Sequence, residues 1–379
     1  MRIAVVHSFY RGNLPSGENQ VVDNQVAALQ HAGHQVELLA VRSDELSSRP
    51  LYGLESAVRV ISGFGSGNLL QRLSLEPDVI HVHNTFPNIG YRAFEHARSP
   101  IIHTLHNFRP ICAAATLFRS GEPCFDCVSG SSLRALKQAC YHDSRIQTAP
   151  LALRNLRDPG HQGLLRGANA LVVGTESARD LYHSFGIAND RLHVIPNGVD
   201  SAPESVDARA RDGVWLVAAR LDPEKGVLDL AVAWPPHHRL EVYGDGLETT
   251  GILALGKPNI DYRGVVAHSQ LRKRLGQVSG LIVPSKWLEM NPTIVSDALA
   301  MGTPIVAFSA NAGADLVRRH GVGAVYSDLD SLNDALTSVQ AGGRQLREKC
   351  LSVFQDNYSF DVWATRLEAL YSHLIEHRF

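Results

Sequence analysis

The sequence predicts an α/β fold of two doubly wound domains. Short apolar runs alternate with longer stretches of helical period along the whole chain, the pattern of βαβ units and parallel sheets. A polar break, Ser201–Gly213, divides these runs into two sets. The 379 residues suffice for two cores of ordinary size.

In the first set the strands fall at Arg2–His7, Gln35–Leu39, Val79–Val82, Ile101–Thr104, Ala170–Val173 and Leu192–Ile195. Asn19–Ala32 reads as a helix whose Val21, Val22, Val26 and Leu29 form an apolar stripe, and Gly33 is its stop. The break that follows holds Pro203, Glu204, Asp207, Arg209, Arg211 and Asp212 with little apolar content. Strands recur at Val214–Ala218, Leu240–Tyr243, Gly280–Val283 and Ile305–Phe308. The last stretch, Phe360–Glu376, carries Trp363, Leu367, Leu370 and Leu374 at helical spacing. The domains are therefore placed at 1–204 and 205–358, with a terminal helix at 359–379 packing back across them. Ligands of such sheets bind beyond the C-terminal strand ends.

Composition narrows the function. Hydrophobic residues make up 44% and charged residues 20%, the balance of a globular protein, and a net charge of −2 gives nucleic acid no general attraction. The N-terminal apolar run is too short for a signal peptide, and no stretch has the roughly 18 apolar residues of a membrane span. The expected location is cytoplasmic, with peripheral contact at the inner membrane face as an option. Residues 96–170 hold nine Lys/Arg against four Asp/Glu, a basic face suited to a lipid-linked diphosphate or an ordinary solvated one.

Val283–Pro304 is the most informative stretch and reads strand, loop, helix, strand. Asn291 suits an N-cap and Pro292 the first helical turn. Amides at Thr293 and Ile294 would then be free to hold a phosphate. Glu289 precedes the helix start, and Asp297 lies one turn past Thr293. Two carboxylates flanking an anion site suit sugar and ribose hydroxyls around a diphosphate. A capped surface helix with two solvated acids is the alternative.

This stretch resembles the Glu-x7-Glu region of the retaining family 4 glycosyltransferases, with Asp297 as the second acid. The resemblance implies the GT-B fold, two Rossmann-like domains facing a central cleft. It implies that Glu289 contacts the donor sugar and Asp297 the ribose. Other matches follow in the family's order. Arg220 and Lys225, in Val217–Gly226, resemble the pair that grips the donor diphosphate, a role a bidentate guanidinium and a mobile ammonium can fill. Gly244 and Asp245 are like the family's glycine turn at the nucleotide, and Arg263-Gly264-Val265-Val266 resembles the strand bordering the base pocket. Ser16 and Gly17 occupy its glycine-rich loop after the first strand, while Glu18 reads as a helix N-terminus. His106 matches the histidine near the transferred sugar, with His103 a competitor for that role.

Cys112, Cys124, Cys127 and Cys140 fall within 29 residues, and Cys124-x2-Cys127 has metal-ligand spacing. A similar pattern occurs in a branch of these transferases. A structural zinc stapling a loop on the acceptor side is one reading, and unpaired thiols are the other. Asp328-Leu329-Asp330 reads as a turn or helix cap rather than a metal motif.

The implied activity is transfer from a nucleotide sugar, UDP-linked in preference to GDP-linked, with retention of configuration and no metal or cofactor required for catalysis. Saccharide, lipid-linked and small natural-product acceptors remain open. The alternative is a nucleotide-sugar-binding protein of the same fold without turnover.

Overall fold

The computed structural model describes residues 1–10, 17–65, 68–74, 76–156, 163–201, 212–290 and 292–377. Ser16, Asn291 and most of the polar break, including the expected boundary at 204/205, lie outside them. The chain divides into two compact units. The first comprises Met1–Leu117, Cys124–Asn197 and Trp363–Phe379; the second comprises Phe118–Pro123 and Gly198–Val362.

The first unit is built on β1 (Arg2–Phe9), β2 (Gln35–Arg42), β3 (Val79–Val82) and β4 (Ile101–Thr104). A two-stranded hairpin, β5 (Phe118–Arg119) and β6 (Glu122–Pro123), comes next in the chain, then β7 (Ala170–Val173) and β8 (Leu192–Val194). The sheet order is β2-β1-β3-β4-β7-β8, every pair parallel. The strand sequences are apolar on both faces because helices cover both sides, as parallel sheets require. The helix Gly17–His31 buries Val21, Val22, Gln25 and Leu29. The terminal helix Phe360–Glu376 buries Trp363, Leu367, Leu370 and Tyr371, and Tyr371 bonds His81 of β3 at 2.7 Å within this unit.

The second unit carries β9 (Val214–Ala218), β10 (Arg239–Tyr243), β11 (Ile260–Gly264), β12 (Gly280–Val283), β13 (Ile305–Phe308) and β14 (Gly323–Tyr326). Their order is β11-β10-β9-β12-β13-β14, again all parallel. Val214 and Leu216 pack into one core cluster, while Trp215 and Val217 pack into the other on the opposite face. Asp328 caps the helix Leu329–Asn357 through a reciprocal bond pair with Ser331, so the Asp-x-Asp is a cap. That helix is broken at Gly343. Among the described residues no helix is long and apolar enough to cross a membrane.

Strand order reverses between β1 and β3 in the first sheet and between β9 and β12 in the second. At such a switch point the loops leave in opposite directions and open a crevice at the C-terminal strand ends. The loops after β1, β3 and β4, and those after β9 and β12, are therefore where chemistry belongs.

Candidate functional site

In the second unit β9 ends at Ala218, and Arg220 follows in the loop. Its guanidinium bonds Asp222 Oδ2 at 2.5 Å and Glu224 Oε1 at 3.0 Å and stays 60% exposed. Pro223 opens a short helical turn and Gly226 ends it with φ of +66°. A Cβ on Gly226 would lie 2.6 Å from the Pro284 carbonyl, so glycine lets this turn press onto the loop after β12. Lys286 N–H in turn donates to the Glu224 carbonyl at 3.0 Å.

That contact brings Lys225 to Glu289 from 64 positions away. Lys225 Nζ lies 2.5 Å from Glu289 Oε1, and Ser285 Oγ donates to the same oxygen at 2.6 Å. The Trp287 ring lies 5.1 Å from the ammonium. Burial alone would raise the Glu289 pKa, but the Lys225 charge and the hydrogen bonds from Lys225 and Ser285 hold it below the usual carboxylate range. The Lys225 and Glu289 side chains are 15% and 11% exposed.

The glycine turn sits against the same loop. Gly244 has φ of +123°, and a Cβ there would meet the Ala219 carbonyl at 1.9 Å. Asp245 accepts from Gly246 N–H at 2.9 Å and Thr249 Oγ1 at 2.7 Å, while its own carbonyl accepts from Leu221 N–H at 3.0 Å. Val265, just past β11, is exposed.

The helix Thr293–Ala300 begins one residue later than expected: Pro292 occupies the capping position, with ψ of 91°, and makes no side-chain cap bond. A proline there cannot donate, and its extended ψ places it outside the first turn. Among the described residues the amides of Thr293 and Ile294 meet no acceptor. Asp297 is 2% exposed and already engaged. His268 Nε2 lies 2.7 Å from its Oδ2, and Arg272 Nε 3.2 Å from its Oδ1. The hydrogen bond to Asp297 raises the His268 pKa. Sequence reasoning missed both partners; their only signal was a pair spaced four apart on the helix His268–Leu275.

In the first unit five histidines converge where β1, β3 and β4 end. His81 and His83 stack at 4.2 Å between centroids, and His83 and His106 at 5.1 Å. His83 Nδ1 and His106 Nε2 share a proton-bearing contact of 2.9 Å, and His81 also bonds Thr104 Oγ1 at 2.6 Å. Burial holds them all neutral. It lowers His7 and His103 to about 4 and His81 to about 3, and pushes His83 and His106 well below the usual range. His103 lies on β4, 8% exposed, whereas His106 follows the strand end and keeps some surface.

Gly17 opens its helix rather than turning a loop, and a Cβ on it would meet nothing within 4 Å. The next residue, Glu18, is the larger finding. Its Oε2 accepts from Asn107 Nδ2 at 3.4 Å, and its Oε1 is buried without a partner. Burial raises its pKa to about 7, against the pull of Arg109 and Asn107. Glu18, His83, His106 and Arg109 line a small pocket of about 50 Å³. It shares Thr85, Phe86, His103, Pro110 and Arg154 with a cavity of about 360 Å³.

Cys112, Cys124, Cys127 and Cys140 are half-buried and Cys350 is buried. Cys112, Cys124 and Cys140 are near enough to Cys127 to add to the burial that raises its thiol to about 11. Among the described residues no group of three or more His, Cys, Asp or Glu is placed to hold a metal ion.

Residues 15–202 match the family described as Glycosyltransferase Family 4, and residues 212–341 match Glycosyl transferases group 1. An exopolysaccharide phosphotransferase of Streptomyces coelicolor is 29% identical over 55% of this chain and 24% of its own length. An MMP alpha-(1->4)-mannosyltransferase of Mycolicibacterium hassiacum is 31% identical over 47% of this chain and 46% of its own. The chain thus aligns with less than half the length of these curated relatives. The Anabaena HepE structure in complex with UDP and glucose superposes with a TM-score of 0.64 over 98% of this chain and 100% of that one, at 16% identity. That likeness is one of fold.

Proposed function

The chain belongs to the family 4 glycosyltransferases with the GT-B fold, and on that footing we propose that it transfers a sugar from a nucleotide sugar to an acceptor hydroxyl with retention. A UDP-sugar is the favoured donor and a GDP-sugar the second choice. The HepE complex with UDP and glucose supports that preference, and the mannosyltransferase relative supports a saccharide acceptor.

The observation that carries the reading is the buried Lys225–Glu289 pair at a switch point, with Arg220 and two free helix amides on the same loops. A diphosphate arriving there offers Arg220 and Lys225 stronger acceptors than their present carboxylates and fills the amides of Thr293 and Ile294. Lys225 moving onto phosphate frees Glu289 to accept from donor-sugar hydroxyls.

The step is then a one-face substitution. The bond from the anomeric carbon to the β-phosphate oxygen breaks as the bond to the acceptor oxygen forms, and the acceptor proton passes to the departing phosphate. Arg220, Lys225 and the amides stabilise the charge that grows on that phosphate. His106, held neutral, offers a hydrogen-bonding face rather than a competing cation near the developing oxocarbenium ion.

Binding without turnover is the second reading, favoured by the engagement of Asp297 with His268 and Arg272. Thermal shift against a nucleotide panel, paired with release of UDP from UDP-glucose, separates the two. UDP stabilisation with UDP release supports transfer, stabilisation alone supports the second reading, and neither refutes both.

A further inference from the structure

The cavity of about 360 Å³ in the first unit is lined by Arg59, Arg92 and Arg154, and among the described residues no carboxylate lines it. Arg92 is matched, by Glu95 at 3.8 Å and the Ser62 carbonyl at 3.1 Å, whereas Arg59 and Arg154 are not. Arg59 Nε and Nη1 are buried without hydrogen-bond partners among the described residues. Among the described residues Arg154 donates to neutral oxygens, Asn155 Oδ1 at 2.8 Å and the Arg109 carbonyl. Burial, with Arg109 nearby, draws the Arg154 pKa down to about 9, and among the described residues no carboxylate is paired with it. Arg109 itself has a buried Nε lacking a partner. Such groups cost stability in an empty site, so the cavity is complementary to an anion that supplies several oxygens.

The same wall carries a different request. His103 is 8% exposed, and its Nε2 lies 3.1 Å from the His83 carbonyl. A carbonyl only accepts, so Nε2 bears the proton, and the neutral ring presents Nδ1 as an acceptor. That Nδ1 is buried and unpartnered. The cavity therefore wants an anion for its guanidiniums and a hydroxyl for His103. One bidentate arginine satisfies a carboxylate, whereas arginines arriving from separate helices suit the radially disposed oxygens of a phosphate. At about 360 Å³ the cavity is near the lower end, roughly 300 Å³, of ligand pockets, the size for a short saccharide.

We propose that this cavity binds a phosphate-bearing saccharide as the acceptor, with Arg59 and Arg154 on the phosphate and His103 Nδ1 accepting from a sugar hydroxyl. The proposal rests on the transferase reading. It also explains why the cavity shares His103, Thr85 and Arg154 with the pocket of Glu18 and His106: the anionic arm anchors in one while an acceptor hydroxyl reaches the other.

The test uses the full chain saturated with UDP, so that the diphosphate site is occupied. Thermal shift is read with glucose 6-phosphate and with glucose, and cosedimentation with vesicles carrying a polyprenyl phosphate. Glucose 6-phosphate or the phosphate-lipid vesicles should bind, with glucose at least roughly 10-fold weaker than the phosphosugar. Binding of glucose 6-phosphate identifies a soluble acceptor and vesicle binding a lipid-linked one. Arg59→Gln should weaken phosphate binding by roughly 10-fold or more, Arg59→Lys by less, and both should keep the UDP shift, which shows that they fold. Arg154→Gln adds a second variant. If neither phosphate probe binds, or if binding ignores Arg59→Gln and falls only in Lys225→Ala, the proposal is wrong. Loss of the UDP shift in the unmodified chain would instead defeat the transferase reading.

Discussion

Lys225 and Glu289 show how a single pair couples stability to function. Lys225 holds Glu289 ionised in its buried position. Removing one partner of a buried pair is costly, so Lys225→Ala should destabilise the second unit by about 3–5 kcal/mol in urea unfolding. Lys225→Met with Glu289→Gln should recover most of that loss. A double variant no more stable than Lys225→Ala would show that the pair is not the cause. Glu289→Gln should keep the UDP shift while lowering transfer by about 100-fold, read as UDP release. In the sequence Glu289 and Asp297 stand out by their place around a helix start, and Arg220 and Lys225 by the family resemblance. Sequence reasoning passed over Glu18, whose burial and lone oxygen come from the fold, and it could not see that His268 and Arg272 hold Asp297.

The strands were legible wherever both faces are covered. Ile101–Thr104, Ala170–Val173, Val214–Ala218, Gly280–Val283 and Ile305–Phe308 stand as read, since a strand buried on both sides has an unbroken apolar run. The outer strand β14 escapes the strand reading, and β11 is marked only through the resemblance, at Arg263–Val266 where the strand is Ile260–Gly264, because both are only partly buried and carry Asp261, Arg263 or a glycine start. Turns between these elements depend on particular glycines. Gly244→Ala must place a methyl group 1.9 Å from a carbonyl at φ of +123°, and should cost about 2 kcal/mol or more. Gly17→Ala, at a helix start with open space, should change stability by less than about 1 kcal/mol. Chemical denaturation of the two variants side by side checks the contrast; equal losses would mean the turn can relax.

Across the molecule, the five buried histidines set the response to acid. Each has a folded pKa below its ordinary 6.5, so the unfolded chain binds more protons as pH falls through that value. Their contribution is complete above about pH 6.5 and is lost progressively towards pH 4, with an upper limit of about 3 kcal/mol for His7 or His103. Glu18 runs the other way, since its carboxyl is raised to about 7 and protonation suits the fold, but it is one group against five. Calorimetry should show Tm falling steadily from pH 6.5 to 4.5. A flat Tm over that range would mean the histidines admit water and titrate normally.

By itself the sequence determined that this chain forms two parallel sheets and which loops leave their C-terminal ends, because helical period and doubly buried strands are written in neighbouring residues. It also singled out Arg220, Lys225 and Glu289, since their motifs are local. Only the tertiary structure decided which groups meet: Lys225 with Glu289, Asp297 with His268 and Arg272, the stacked histidines, and the arginines that share a cavity without an acid. Such pairings join positions tens of residues apart, and strand order, which no local stretch of chain encodes, brings them together.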